Sequence, residues 1–252
     1  MHFKTVALGL LFSAPALGVV TIVPLGDSLT SGVGSSDMGG YRKVVKNNLG
    51  NTIDFLGRKG DGAFVDNEDE GWGGFSINMI RDQVVNTIPQ HSGFGNVILL
   101  TAGTNEFVWN ENPTEDGAAA RANQALVDMN SLLNATFGYA GNAVTLYVST
   151  IPAIRDWVHP QNTYTYPEVD MFNAGLPGLV NQFRGNGYDV RFVDTMSGLN
   201  LQTDFADGIH PNALGYAKIG AAWTAALTPE PTSAVLALAP LAMLATRRRR
   251  QR

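Results

Sequence analysis

The chain predicts an α/β three-layer sandwich, a five-stranded parallel sheet with helices on both faces. Three observations carry this expectation. Short β-branched apolar runs alternate with stretches of helical periodicity across residues 19–227, the pattern of successive βα units. The run at 96–101 is almost continuously apolar, as a strand covered on both faces must be. Polar segments containing glycine follow the strands, Gly26-Asp27-Ser28 and Gly103-Thr104-Asn105 among them. Such segments fall at the carboxyl edge of the sheet, where open parallel sheets bind ligands.

The first strand is expected from Val19 to Leu25, ending in Gly-Asp-Ser. From Gly40 to Leu49, Tyr41, Val44, Val45 and Leu49 share one side of a helix. Asn51 to Leu56 reads as a second short strand. Ser76 to Ile88 is helical, with Ile77, Ile80, Val84 and Ile88 on one face and Pro89 as its stop. After the third strand at 96–101, Gly117 to Phe137 forms a long helix rich in Ala, Leu and Asn. Ala143 to Thr150 is the fourth strand. Val169 to Phe183 is helical, with Gly175 and Pro177 expected to kink or split it. Asp189 to Val193 is the fifth strand, and Ala213 to Leu227 is the closing helix. Parallel strands joined this way imply right-handed crossovers.

Composition narrows the chemistry. The chain has 252 residues and no cysteine, which excludes disulfides, a thiolate nucleophile and Cys-ligated metal. Setting aside Lys4, Glu230 and the five tail arginines leaves 11 basic against 21 acidic residues, a net of −10. An acidic body does not suit nucleic acid or an anionic membrane. It is compatible with a neutral substrate such as an acetylated polysaccharide.

The two ends read as address labels. Residues 1–18 combine Lys4, an apolar run from Val6 to Leu11 and the small residues around Ala14-Pro15-Ala16, which describes a secretory signal peptide. Residues 228–252 carry Pro229-Glu230-Pro231, an apolar run from Ala234 to Ala245 and Arg247 to Arg250. That arrangement resembles the PEP-CTERM sorting signal of exported bacterial proteins. The resemblance implies an exosortase-type processing peptidase as partner, only transient membrane contact through the C-terminal segment, and delivery to the cell surface or extracellular matrix. A plain C-terminal anchor is the alternative, but the run is short for a membrane span.

The reactive groups are Ser28, after strand one, and Asp207 and His210 in Asp207-Gly208-Ile209-His210-Pro211, after strand five. They supply a nucleophile, a base and an orienter for the base. Singly, each has an ordinary explanation: a helix cap for Ser28, a turn for Asn105, a helix opening for His210-Pro211. Together they converge on one edge of the sheet.

Gly26-Asp27-Ser28-Leu29, Gly74, Gly103-x-Asn105 and Asp207-x-x-His210 resemble, in order, blocks I, II, III and V of the GDSL, or SGNH, hydrolases. The resemblance implies their flavodoxin-like fold and a serine esterase that needs no cofactor or metal. It also implies catalytic roles for Ser28, His210 and Asp207, and an oxyanion hole built from Ser28, Gly74 and Asn105. Asp27 is expected to order the Ser28 loop by hydrogen bonding rather than to react. Pro24 to Gly34, Gly39-Gly40-Tyr41-Arg42, Ile53 to Gly57 and Asp69 to Gly74 further resemble the acetylxylan-esterase branch of that superfamily. The substrate this implies is an acylated carbohydrate with a short, acetyl-type acyl group. Trp72, Trp109 and Trp157 are candidate substrate-binding aromatics, with Phe107, His159, Tyr164 and Tyr166 beside them.

The acidic segment at 61–70, with Asp61, Asp66, Glu68, Asp69 and Glu70, lacks the spacing of an EF-hand and reads as a solvated loop rather than a Ca²⁺ site. Two other functions fit parts of the sequence. One is a lysophospholipase or broad lipid esterase, against which no long apolar lid segment is present. The other is a non-catalytic surface protein that binds carbohydrate.

Overall fold

The structure is a computed structural model that describes residues 18–90, 97–108, 117–154 and 166–228. The segments expected to direct export and sorting lie almost wholly outside these residues.

Six strands form one parallel sheet. They are β1 (Val20–Gly26), β2 (Ile53–Phe55), β3 (Glu70–Gly71), β4 (Val97–Thr101), β5 (Thr145–Ser149) and β6 (Val190–Val193). The order is β2-β1-β4-β5-β6, with β3 paired to the carboxyl end of β1. The chain leaves β1 toward β2 on one side and later returns to β4 on the other. The end of β1 is therefore a topological switch point, where a crevice opens.

The side-chain period of two sorts each strand between two cores. Val23 and Leu25 of β1, Ile98 and Leu100 of β4, and Leu146 and Val148 of β5 face one core. That core is closed by α3 (Ile77–Gln90), α5 (Ala118–Ala140) and α6 (Pro167–Gly185). Ile22, Leu99 and Tyr147 face the other, closed by α2 (Gly40–Leu49) and α7 (Ala213–Leu227), where Trp223 is fully buried beside Tyr41. Two short helices, α1 (Ser28–Ser31) and α4 (Asn105–Val108), sit directly after β1 and β4.

Most predicted elements appear within a residue or two, and α7 matches residue for residue. Three details differ. β3 is an unpredicted two-residue strand. α3 continues through Pro89, since a proline in the last turn forgoes only one helical hydrogen bond. α6 is a single helix that contains Pro177 rather than two pieces. Its buried face, with Val169, Phe172, Leu176, Leu179, Val180 and Phe183, keeps it on the sheet and offsets the missing bond.

Candidate active site

Ser28 is the first residue of α1, at the end of a strand whose neighbours are both parallel. Asp27 caps the helix: its Oδ1 accepts the Leu29 N–H at 2.9 Å. Asp27 is fully buried. Burial pushes its carboxyl up to about 6, although the Leu29 N–H and the charge of His210 pull the other way. The ordering role expected of Asp27 is thus visible as an N-cap.

His210 reaches Ser28 from the far end of the chain. Its Nε2 lies 2.9 Å from Ser28 Oγ, and its Nδ1 lies 2.8 Å from Asp207 Oδ2. An ionised carboxylate only accepts, so Nδ1 carries the proton and Nε2 presents its lone pair to the serine. Asp207 is itself held by a tight turn, because its Oδ1 accepts the backbone N–H groups of Ile209 at 2.7 Å and His210 at 2.6 Å. Burial would raise the Asp207 carboxyl, but the His210 hydrogen bond and these two N–H groups outweigh it and hold it at about 2.

The turn is anchored on both sides. Phe205 and Pro211 form an antiparallel bridge, and Ala206 N–H donates to His210 O at 2.9 Å. Asn212, rather than Pro211, caps α7 by accepting from Leu214 and Gly215 N–H. Tyr216 Oη donates to Val33 O at 2.6 Å, tying α7 to the segment after α1. At Gly34 a Cβ would come within 2.9 Å of His210 Cβ and 2.4 Å of Pro211 O. Only glycine lets the two segments approach so closely.

The segment from Trp72 to Ser76 runs beside Ser28, a Cβ at Gly73 falling 3.8 Å from Ser28 Cβ. Trp72 N–H donates to Gly26 O at 2.8 Å, and Phe75 N–H donates to Trp72 O. Gly74 has φ 79°, and a Cβ there would meet nothing within 4 Å. Glycine is required here by its left-handed backbone and not by crowding within the protein. Asn105 Nδ2 donates to Phe75 O at 2.9 Å, which uses one of its two N–H bonds. Among the described residues, the Ser28 and Gly74 N–H groups make no backbone hydrogen bond.

The acidic segment departs from expectation. Asp69 and Glu70 are fully buried. Arg42, also fully buried, pairs with Asp69 at 3.1 Å and donates to Thr30 O, Ser31 O, Asn67 O and Asp61 O. Glu70 accepts from Arg58 Nη2 at 2.9 Å and from Trp72 Nε1 at 3.2 Å. Lys59 pairs with Asp61, and Lys46 with Asp66. The loop is therefore cross-linked by ion pairs, with Asp69 and Glu70 internal and the stretch before them half-buried or exposed, rather than solvated throughout. Among the described residues no group of three or more His, Asp or Glu side chains is arranged to hold a metal ion.

The aromatic candidates divide. Trp72 stacks on Phe75 at 5.5 Å and lies under Arg58 at 5.0 Å and Lys59 at 5.6 Å. Much of its ring is thus occupied by local packing. Phe107 and Tyr166 are core residues, Phe107 packing edge-on to Phe172. Trp109, Trp157, His159 and Tyr164 lie outside the described residues. A cavity of about 460 Å³ between α6 and β6 is lined by Asn181, Arg184 and Arg191. It opens at the amino end of β6, away from Ser28. Arg42 and Glu106 were not singled out for any role from sequence, although both touch the segments that carry the site.

Comparison with known proteins identifies the family. Residues 25–218 match the model of the GDSL-like lipase/acylhydrolase family. A multidomain esterase of Ruminococcus flavefaciens is 30% identical over 247 residues, covering 86% of this chain but only 30% of that protein. Among solved structures, the Clostridium thermocellum family 3 carbohydrate esterase is 28% identical with a TM-score of 0.65, covering 81% of this chain and 93% of that one. A Talaromyces cellulolyticus family 3 carbohydrate esterase shares the fold at 20% identity and a TM-score of 0.65, over 83% of this chain and 96% of its own. The chain therefore belongs to the GDSL-like lipase/acylhydrolase family.

Proposed function

We propose that the protein removes short acyl groups, acetyl above all, from a polysaccharide through a covalent acyl-Ser28 intermediate. The observation that carries the mechanism is the aligned series Ser28 Oγ, His210 Nε2, His210 Nδ1 and Asp207 Oδ2, with spacings of 2.9 and 2.8 Å at its two hydrogen bonds. Ser28 Oγ attacks the ester carbonyl as its proton passes to His210 Nε2. Asp207 holds the ring and stabilises the imidazolium. Negative charge then develops on the former carbonyl oxygen. The Ser28 and Gly74 N–H groups and the second Asn105 N–H are its donors, each worth about 3 kcal/mol in such sites. His210 returns the proton to the leaving alcohol, and water repeats the sequence on the acyl-enzyme.

Support for a carbohydrate substrate comes from the likeness to the family 3 carbohydrate esterase at 28% identity and from the acidic body, which favours a neutral polymer over an anionic lipid surface. Signals at 1–18 and 228–252 support export and surface delivery; fractionation of cells expressing the full chain tests that part.

The enzymatic reading is tested on the purified protein and its Ser28→Ala variant. Acetate release from acetylated xylan is measured beside hydrolysis of acyl esters of increasing chain length. Serine-dependent acetate release, falling sharply for long acyl chains, is expected. A preference for long chains with no acetate from the polymer would overturn the substrate assignment in favour of a lipid esterase.

A further inference from the structure

Glu106 follows the oxyanion candidate Asn105 in sequence, and its side chain turns back to the segment that carries Gly74. Glu106 Oε1 accepts the N–H of Ile77, the first residue of α3, at 2.8 Å. Asn105 Nδ2 donates to Phe75 O at 2.9 Å. Two adjacent residues of α4 thus hold the Phe75 carbonyl and the Ile77 N–H, which flank Ser76 in the segment that follows Gly74. One bond fixes where α3 starts, and the other fixes how the turn enters it. Ser76 Oγ accepts from Met79 N–H at 3.3 Å, so Ser76 caps α3 locally and Glu106 satisfies one further N–H of its first turn from another segment.

The carboxyl is poorly placed for stability alone. Its second oxygen is buried without a hydrogen-bond partner among the described residues. Burial pushes the group up to about 7; the Ile77 N–H opposes this, and the charges of Asp128 and Asp27 add to it. A leucine would fill the same space without that cost. What leucine lacks is an acceptor for the Ile77 N–H.

We propose that Glu106 is a positioning residue that sets the mutual register of the Gly74 N–H and the Asn105 amide as oxyanion donors. This rests on the serine-esterase mechanism given above. Glu106 does not touch the reacting atoms. It acts through the α3 start and the turn before it, in a site where loss of about 1 Å in position can cost ~10²-fold in rate.

Glu106→Leu and Glu106→Ala remove the acceptor, whereas Glu106→Gln keeps an oxygen at the same reach and removes only the charge. With a soluble acetyl ester, the two acceptor-free variants are expected to lose roughly 10- to 100-fold in kcat with KM changed less than about threefold, since oxyanion contacts act in the transition state. Glu106→Gln is expected to stay within about threefold of wild-type kcat. Circular dichroism and thermal unfolding of each variant identify the folded one on which the comparison is read. A folded acceptor-free variant with wild-type kcat overturns the proposal. So does a Glu106→Gln variant as slow as Glu106→Leu, or an effect confined to KM. Ser28→Ala is run in parallel. If it keeps wild-type activity, the esterase mechanism fails and the Glu106 role falls with it. If it abolishes activity while the Glu106 variants match wild type, the Glu106 role alone is overturned.

Discussion

The segment around Ser28 and the segment around His210 contribute to one site but are anchored by different means. On the Ser28 side the anchoring is long-range and buried. Arg42 reaches from α2 to the carbonyls of Thr30 and Ser31 in α1 and to Asp69, and Glu70 binds Arg58 beside Trp72. On the His210 side it is short-range and open to solvent. Asp207 holds the backbone of the two residues that include its own partner, and its side chain is 54% exposed. Ser28 and the Gly74 segment thus depend on the packing of the whole β1 end, whereas the Asp207–His210 pair is shaped mainly by four consecutive residues. Damage to the first should appear in stability, and damage to the second in catalysis.

Asp207→Asn tests the second half of that contrast and should give the largest effect. The asparagine oxygen can still accept the Ile209 and His210 N–H groups, so the turn survives and stability changes by less than about 1 kcal/mol. Its NH₂ now faces Nδ1 and favours the wrong tautomer, so kcat should fall by ~10²- to 10⁴-fold. Urea unfolding and steady-state kinetics on one preparation check both. Arg42→Met tests the first half. It leaves Asp69 buried and uncompensated, a loss of about 3–5 kcal/mol, read as a lower urea midpoint. Adding Asp69→Leu should recover part of that loss, because the stranded charge goes with it. A variant Arg42→Met as stable as wild type would remove the distinction between the two sides.

Acid and alkali give the smallest and most direct contrast. Glu106 is raised from 4.5 to about 7 in the folded state. Between these values the folded chain keeps a proton that the unfolded chain gives up, so this group's contribution to stability falls as pH rises. Glu106→Gln has no proton to lose. Its melting temperature relative to wild type should increase from pH 4.5 to pH 8. Asp207 is lowered from 3.8 to about 2. Its contribution is present above 3.8 and is lost as pH falls through about 2. The stability difference between wild type and Asp207→Asn should therefore shrink in strong acid, in a window separate from that of Glu106.

What could be read from sequence follows the same division. The strands and α7 were legible because burial imposes a local period: Ile22 against Val23 and Leu25 in β1, Ile219 and Trp223 in α7. The meeting of Ser28 with His210 was legible because alternating strands and helices place the segments after parallel strands at one edge of the sheet, although His210 lies well beyond the end of β6. The pairing of Asp69 with Arg42 and of Glu70 with Arg58 was not legible. A run of acids looks solvated until the partners folded against it are known. β3 exists only because Glu70 and Gly71 lie beside Leu25 and Gly26. Glu106 caps a helix that begins 29 residues before it, and no local pattern reports a contact at that separation. Phe107 and Tyr166 looked like cleft aromatics because they follow strands, yet both are core residues.

The Asp207–His210 turn has a consequence for how such a site could be rebuilt. Asp207 and His210 form one unit, since the carboxylate that faces His210 Nδ1 also accepts the backbone N–H groups that shape the turn presenting the ring. The pair is in turn registered to the segment after α1, because Gly34 packs against His210 and Pro211 and Tyr216 donates to Val33 O. Rebuilding the site therefore has to keep Gly34, because any side chain there would push on His210 and Pro211 and change the gap to Ser28.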